Sequence, residues 1–591
     1  MGRKRRPQKT TPNPPGSYTQ TEKSNPYFAS FYSLQLSLSP EDQLAFLAVL
    51  REHLPVTFRL NPNYPGHERL LATLQSPERL AALIGEAQIA PVPWYPNNLT
   101  WEVRTDKRTL KREAAFKPFH SFLKQASDSG LITRQELVSM LPVLALDIHP
   151  GQHVLDMCAA PGSKTSQCIE QLRNEGLILA NDADPNRARM LIHQLRRANT
   201  SLVAVVNHQA QFFPRIGSKQ TPFLFDRVIC DVPCTGDGAI RKYPTKWSTW
   251  SEKDAMAIHP VQVDILFRAL VLCKESGLVA YSTCSLNPIE DEAVVAAALA
   301  RFGDAVELVD LVHRFSVTCP GLQVRPGVAA WKVLVRTEEG FREVDASEGD
   351  SLGFKGTCFP RENNELLART VRVMPQDQNT GGFYIALFRK IVKTDPSDAQ
   401  TGFSKGPKRP DFRAISEDSE DWRELQACYG LPASFPFTQY LFLSAEKRSK
   451  VFFISAALAA MLAEDGDNRL ALFSLGVRVL SRNKDKGSFP VCGFRLCQEG
   501  LPFLSDLISA RRLESSSREL LRNLLLKRII PLQDAGDLAG ALEGITGYVV
   551  IRFTCLLFPE EIVILKHNTG RISSMASDEH TAGLLLVHEL A

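Results

Sequence analysis

The chain has 591 residues, 44% of them hydrophobic and 23% charged, a balance that excludes a disordered or fibrous protein and leaves room for about three globular domains. Its net charge of +4 carries no argument about partners, and no run of about 20 uninterrupted apolar residues offers a membrane span. Twelve cysteines without a Cys-x-x-Cys pair exclude a disulfide scaffold, and no zinc-type spacing is visible.

Residues 1–24 are polar, basic and rich in Pro, and read as a disordered tail. Arg3, Lys4, Arg5, Arg6 and Lys9 stand there without an acid, the pattern of a nuclear-import signal, a nucleic-acid arm or simply a solvated tail. Apolar residues recur at helical spacing over 27–54, 56–60 alternates like a strand, and 67–74 is helical again. Between 104 and 117, Arg104, Lys107, Arg108, Lys111, Arg112 and Lys117 outnumber Asp106 and Glu113. Such a run is a solvated helix face or a phosphate-binding strip.

From His149 the pattern changes. An apolar run over 154–158 is followed by a helix (163–173), a strand (177–181), a helix (185–198) and a strand (202–206). Further strands are expected at 227–232, 278–283 and 382–389, and helices at 254–274 and 289–301. Strands alternating with helices predict a parallel sheet covered on both faces, hence an α/β fold. Residues 393–422 read as a polar linker and 423–591 as a separate α+β unit.

Four segments carry candidate chemistry. The first, LDMCAAPGSKTSQ (155–167), leaves a strand and turns through Pro161 and Gly162 into a helix. Small residues let a ligand approach the backbone, and a helix amino terminus favours an anionic group. The spacing is not G-x-G-x-x-G, which disfavours a nicotinamide cofactor. The second is Asp182, which directly follows an apolar run and is preferred to nearby Asp184 for holding ribose hydroxyls. The third, FDRVICDVPCTGDGAIRK (225–242), brings Asp231 and Cys234 to a strand's carboxyl end, and the fourth, LVAYSTCSLNPIEDE (278–292), does the same for Cys284. A lone cysteine is usually an inert packing thiol; two at the ends of parallel strands point to catalysis. The thiols of Cys158, Cys168, Cys230 and Cys273 read as packing.

These segments resemble the Sun-family RNA cytosine-5 methyltransferases, most specifically in CAAPGSKT, DVPCTGDG and YSTCSLNPIEDE. TRQELVSMLP, DQNTGGF and GFRLCQEGLPFL extend the resemblance, which runs from about residue 25 onward, towards the family's eukaryotic tRNA-modifying members. The resemblance implies a Rossmann-type, S-adenosylmethionine-dependent core over 141–392, an amino-terminal RNA-binding domain over 25–140 and a PUA-like RNA-binding domain over 423–591. It implies Cys284 as the nucleophile, Cys234 as the residue that assists release, and Asp231 beside the base. The loop Cys158, Ala159, Ala160, Pro161, Gly162, Ser163 and Lys164, together with Asp182 and Asp231, would hold the cofactor. RNA, tRNA above all, would be the partner, with no metal and no membrane. The expected location is the nucleus, nucleolus included, with a cytoplasmic pool. One departure stands out: Gln209 occupies the place of the family's acid near the adenine.

The chemistry explains the residue types. Carbon 5 of cytosine is a poor nucleophile until a thiolate adds to carbon 6. A free thiol is only a few per cent ionised at pH 7, so the site needs a helper, for which Lys164 is a candidate. An amino-group methylase needs no such cysteines. The alternatives are a ribosomal-RNA or messenger-RNA cytosine-5 methyltransferase, or a catalytically weak RNA-binding protein.

Overall fold

The computed structural model describes residues 23–392 and 412–589, apart from 86, 106, 219, 362–363, 444–448, 466–468, 484–492 and 555–559. The basic cluster at 3–9 and most of the expected linker lie outside the described residues.

One sheet positions the site. Cys273–Thr283, Phe225–Asp231, His153–Asp156, Leu177–Asn181 and Val203–Val206 are parallel neighbours in that order. Alternate side chains feed opposite cores, as the strand period requires. Leu177 and Leu179 join Ile265 and Leu266 on one face, while Ile178 and Ala180 join Leu172 and Leu191 on the other. The strand order reverses between His153–Asp156 and Phe225–Asp231, and a crevice outside the carboxyl ends is where such sheets take ligands. Antiparallel strands Phe383–Lys390 and Val371–Val373 widen the sheet beyond Cys273–Thr283. The helix Glu252–Leu272 is long and apolar enough to cross a membrane. It lies instead across this sheet, with Ile265, Leu266, Ala269 and Leu270 in the core.

The segment 25–140 is not one packing unit. Ile89–Pro91, Thr100–Val103, Val56–Leu60 and Ile132–Arg134 form a four-stranded antiparallel sheet. Arg59 on that sheet is buried and donates to both oxygens of Glu170 on the catalytic helix Ser163–Leu172, at 2.6 and 2.9 Å. Removing either partner would leave a buried charge uncompensated. The first two helices, Pro26–Gln35 and Pro40–Arg51, pack elsewhere. Their Phe28, Phe31, Tyr32 and Phe46 enclose Trp247, Ile240 and Leu286 of the catalytic core.

The carboxyl-terminal part corrects the sequence reading in two respects. Phe412–Ala414 pairs with Tyr440–Leu443, and Glu420–Tyr429 is a helix, so folded structure begins inside the expected linker. The strand is too short to stand out from its polar surroundings. The unit holds two five-stranded sheets with a shared core, in which Tyr440, Val451 and Val479 of the first pack with Tyr548, Val550 and Val563 of the second. Finally, it is not separate: Leu472–Leu475 pairs antiparallel with Val203–Val206 and forms the outer edge of the catalytic sheet. An open edge is a row of unpaired backbone groups, and this strand covers it.

Candidate active site

The loop after His153–Asp156 is held from several sides. Ala159 N–H donates to the Asn181 carbonyl at 2.7 Å, and Ala160 N–H to Asp182 Oδ2 at 3.2 Å. Arg187 donates to the Ala160 carbonyl at 2.7 Å. Gly162 has φ +114°, and a Cβ there would meet Leu191 Cδ1 at 2.9 Å, so the turn requires glycine. Ser163 then opens the ten-residue helix Ser163–Leu172. The Cys158 thiol is held well above the usual range by burial first, then by Asp156, Asp182 and Asp231. It stays a packing thiol.

Asp182 is buried at the mouth of this loop, whereas Asp184 caps the helix Pro185–Leu195 by accepting from the amides of Asn186 and Arg187. The two acids thus play different parts: Asp182 accepts the Ala160 and Asp184 amides, and Asp184 caps the helix. Gln209 is exposed, and its side chain lies against Gln211. The neighbours of Gln209 are fixed: Asn207 donates to the Asp182 carbonyl at 2.7 Å, and His208 Nε2 accepts the Ala471 amide at 2.9 Å. Burial pushes the His208 imidazole down to about 4, which keeps it neutral and able to accept. The carboxyl-terminal strand thus reaches the loop beside Asp182.

The parallel register sets Asp231 opposite Ser282. Cys234 lies three residues beyond the first and Cys284 two beyond the second, and their sulfurs stand 3.3 Å apart. The Cys234 thiol is pushed well above its ordinary range by its hydrogen bond with Cys284 and then by burial. Asp231 accepts the Ser282 hydroxyl at 2.8 Å and Lys164 Nζ at 2.6 Å. Lys164 also donates to the Ser139 hydroxyl at 2.9 Å. Its ammonium is thus engaged by Asp231, where the sequence reading offered it as one candidate for lowering the pKa of the nucleophile. A carboxylate of opposite charge within reach outcompetes a neutral thiol.

Close backbone approach joins the two loops. Gly238 N–H donates to the Cys284 carbonyl at 2.9 Å and Gly382 N–H to the Gly238 carbonyl at 2.8 Å. A Cβ on Gly238 would lie 2.5 Å from the Gly382 oxygen, which explains both the TGDG and the TGGF segments. Tyr32, from the first helix, donates to Asp237 in the same turn. Glu290 accepts from Thr235 and Ser285, the residues after Cys234 and Cys284. Sequence reasoning singled out neither Tyr32 nor Glu290; the only signal for Glu290 is its place in NPIEDE.

Next to Pro161 and Ser163 a cavity of about 340 Å³ is lined by Lys124, Arg134 and Arg197, with Asp128 as its one acid. The cations act on each other's neighbours: His120 is held below its usual value by burial, then by Arg134, Lys111 and Lys124. Of the basic strip at 104–117, Arg104, Lys111, Arg112 and Lys117 are exposed.

The family model described as 16S rRNA methyltransferase RsmB/F matches residues 143–389, and that described as the NSUN2 Pre-PUA domain matches 411–509. The chain is 34% identical to the multisite-specific tRNA:(cytosine-C(5))-methyltransferase of Saccharomyces cerevisiae, over 86% of this chain and 80% of that protein. It is 31% identical to the tRNA (cytosine(34)-C(5))-methyltransferase of Drosophila melanogaster, over 85% of this chain and 76% of the relative. Among solved structures, a methyltransferase homologue from Pyrococcus horikoshii is 26% identical with a TM-score of 0.43, covering 62% of this chain and 94% of that one. From the RsmB/F match, the two tRNA-methyltransferase relatives and the paired strand-end cysteines, the chain belongs to the RsmB/F, or Sun, family of RNA cytosine-5 methyltransferases.

Proposed function

We propose that the protein methylates carbon 5 of cytosine in tRNA, with S-adenosylmethionine as methyl donor and Cys284 as covalent nucleophile. The observation that carries this reading is the pair of sulfurs 3.3 Å apart beside Asp231. The residues present fit the donor. The small residues of Cys158–Lys164 lead into the amino terminus of the helix Ser163–Leu172, which favours an anionic group, and buried Asp182 offers a carboxylate for ribose hydroxyls. When bound, S-adenosylmethionine supplies an electrophilic methyl group.

The chain's own residues do the rest. The two sulfurs share a hydrogen bond at 3.3 Å in which either can be the donor, and in this reading Cys284 is the one that attacks. That thiolate adds to carbon 6, and the electron density moves to carbon 5, which takes the methyl group. Asp231, pinned by Ser282 and Lys164, is placed to accept from the base's amino group and stabilise charge on the ring. Cys234, having released its own proton to solvent once Cys284 is bonded to carbon 6, takes the carbon 5 proton, the carbon 5–carbon 6 double bond re-forms, and the sulfur–carbon bond breaks with its electron pair returning to Cys284. The cytosine must be unstacked to reach this crevice. The cationic cavity beside Pro161 and Ser163 suits the neighbouring phosphates. Transfer RNA is favoured over ribosomal RNA because relatives named for tRNA align over 85–88% of the chain and those named for small-subunit ribosomal RNA over 52%. The basic cluster at Arg3–Lys9 supports a nuclear address.

Incubating the protein with an unmodified tRNA transcript and methyl-labelled cofactor should place label on carbon 5 of cytosine. Label on another atom, or none across a set of tRNA transcripts, overturns the reading.

The edge strand alters what a deletion should do. From sequence, removal of 423–591 is expected to weaken tRNA binding more than cofactor binding. With Leu472–Leu475 gone, Val203–Val206 becomes an open edge and His208 loses the Ala471 amide. Truncation after residue 411 should therefore lower S-adenosylmethionine affinity at least about tenfold, the worth of one or two hydrogen bonds. Isothermal titration with unchanged cofactor affinity would show that the edge strand has no part in the cofactor site.

A further inference from the structure

One buried carboxylate, unused in the chemistry above, ties the two cysteine loops together. Glu290 Oε2 accepts the Thr235 amide at 2.9 Å and the Gln262 side-chain amide at 3.0 Å. Its Oε1 accepts the Thr235 hydroxyl at 2.5 Å and the Ser285 hydroxyl at 2.7 Å. The same Gln262 amide donates to the Pro233 carbonyl at 2.9 Å. Residues on both sides of Cys234, and the residue after Cys284, therefore hang from one pair of side chains. Glu290 is fully buried, and burial followed by the charge of Asp237 pushes its carboxyl up to about 7, against the pull of the Thr235 and Ser285 hydrogen bonds. A buried carboxylate is costly unless its oxygens are well satisfied. Four donors satisfy this one, and three of them come from the loops that carry the sulfurs.

We infer that Glu290 is a positioning residue that holds Cys234 in step with Cys284, so that release of the methylated base can follow attack. The inference rests on the covalent reading proposed above. During release the Cys234 sulfur, as thiolate, takes the carbon 5 proton, the carbon 5–carbon 6 double bond re-forms, and the electron pair of the sulfur–carbon bond returns to Cys284. Attack needs only Cys284 in place. Release needs both loops in register, and Glu290 links them through side chains where Gly238 links them through backbone.

The test is Glu290→Gln, which keeps size and shape but turns one acceptor into a donor facing donors. The variant should lose about 100-fold in kcat, the size of an impaired proton-transfer step. Its KM for tRNA and its cofactor affinity should move less than about threefold, as expected when only an interaction made during the reaction is lost. It should also accumulate a covalent protein–RNA band on denaturing gels, as is expected of Cys234→Ala. A purely structural Glu290 would lower the melting temperature and the yield of active protein without a band. If the Gln variant does not fold, Gln262→Met frees Pro233 and loosens the same clamp, and should give the band in smaller yield. A band with Cys234→Ala but none with a folded Glu290→Gln or Gln262→Met overturns the positioning role and leaves the reaction standing. No band with Cys234→Ala at saturating substrate and cofactor overturns the covalent reading, and this inference with it.

Discussion

Cys234→Ala should convert a turning-over enzyme into a trapped one. After methyl transfer the base is still bonded through carbon 6 to Cys284, and it leaves only when the carbon 5 proton is removed. Among the described cysteines, Cys234 is the thiol hydrogen-bonded to Cys284, at 3.3 Å. Its replacement removes a sulfur from a loop otherwise fixed by Thr235, Gly238 and Lys246, the last donating to the Thr235 carbonyl at 2.5 Å, so the loop should keep its place. Attack loses one hydrogen bond to the nucleophilic sulfur, a modest effect of about 1 kcal/mol. Release loses its proton-transfer partner, an effect of about 10²–10⁴-fold. The adduct should therefore build up, survive denaturing electrophoresis and disappear on ribonuclease treatment. The double variant lacking both sulfurs should form none. If the single variant migrates only as free protein under saturating conditions, Cys234 merely packs the loop and its assignment is wrong.

Cys284→Ala should abolish methyl transfer while leaving tRNA affinity within about twofold. Cys284 lies directly beyond the strand Cys273–Thr283, and the neighbouring backbone is held by Gly238 and by Asp237, which accepts the Leu286 amide at 2.9 Å. Loss of the sulfur leaves those bonds in place. Without a thiolate at carbon 6, carbon 5 has no means of becoming nucleophilic, and loss of a covalent nucleophile costs at least about 10⁴-fold. Scintillation counting of label transferred to tRNA measures this, with a filter-binding curve for the RNA beside it. Turnover within about tenfold of the parent protein would remove Cys284 from the role of nucleophile.

Much of the catalytic sheet was legible because parallel strands buried on both faces read as continuous apolar runs. Leu177–Asn181 appears with its expected bounds, and Ser163–Leu172 ends one residue before its expected limit. The preference for Asp182 over Asp184 came from position after an apolar run, and in the structure Asp182 is buried while Asp184 caps a helix. What sequence could not decide was pairing between distant segments. The run LALFSL (470–475) reads as buried, but burial alone does not name the partner, and it lies against Val203–Val206, more than 250 residues earlier. The aromatic helix Pro26–Gln35 likewise announces a core without saying that Trp247 and Trp250 share it. Lys164 was legible as a cation near the site, but its partner depended on which strand end faced it.

By itself the sequence determined the α/β alternation, the strand-end loop Cys158–Lys164, the acid Asp182 and the two cysteines, because each is encoded within a dozen consecutive residues. Tertiary structure alone decided that the sulfurs meet, through a register that sets Asp231 opposite Ser282 across 51 positions of sequence. It alone decided that Glu290 clamps both loops, and that a strand from the carboxyl-terminal unit closes the catalytic sheet. The physical reason is common to all three. Local patterns fix which residues are buried or turned, whereas hydrogen bonds between segments form only after the backbone has chosen its neighbours and its register.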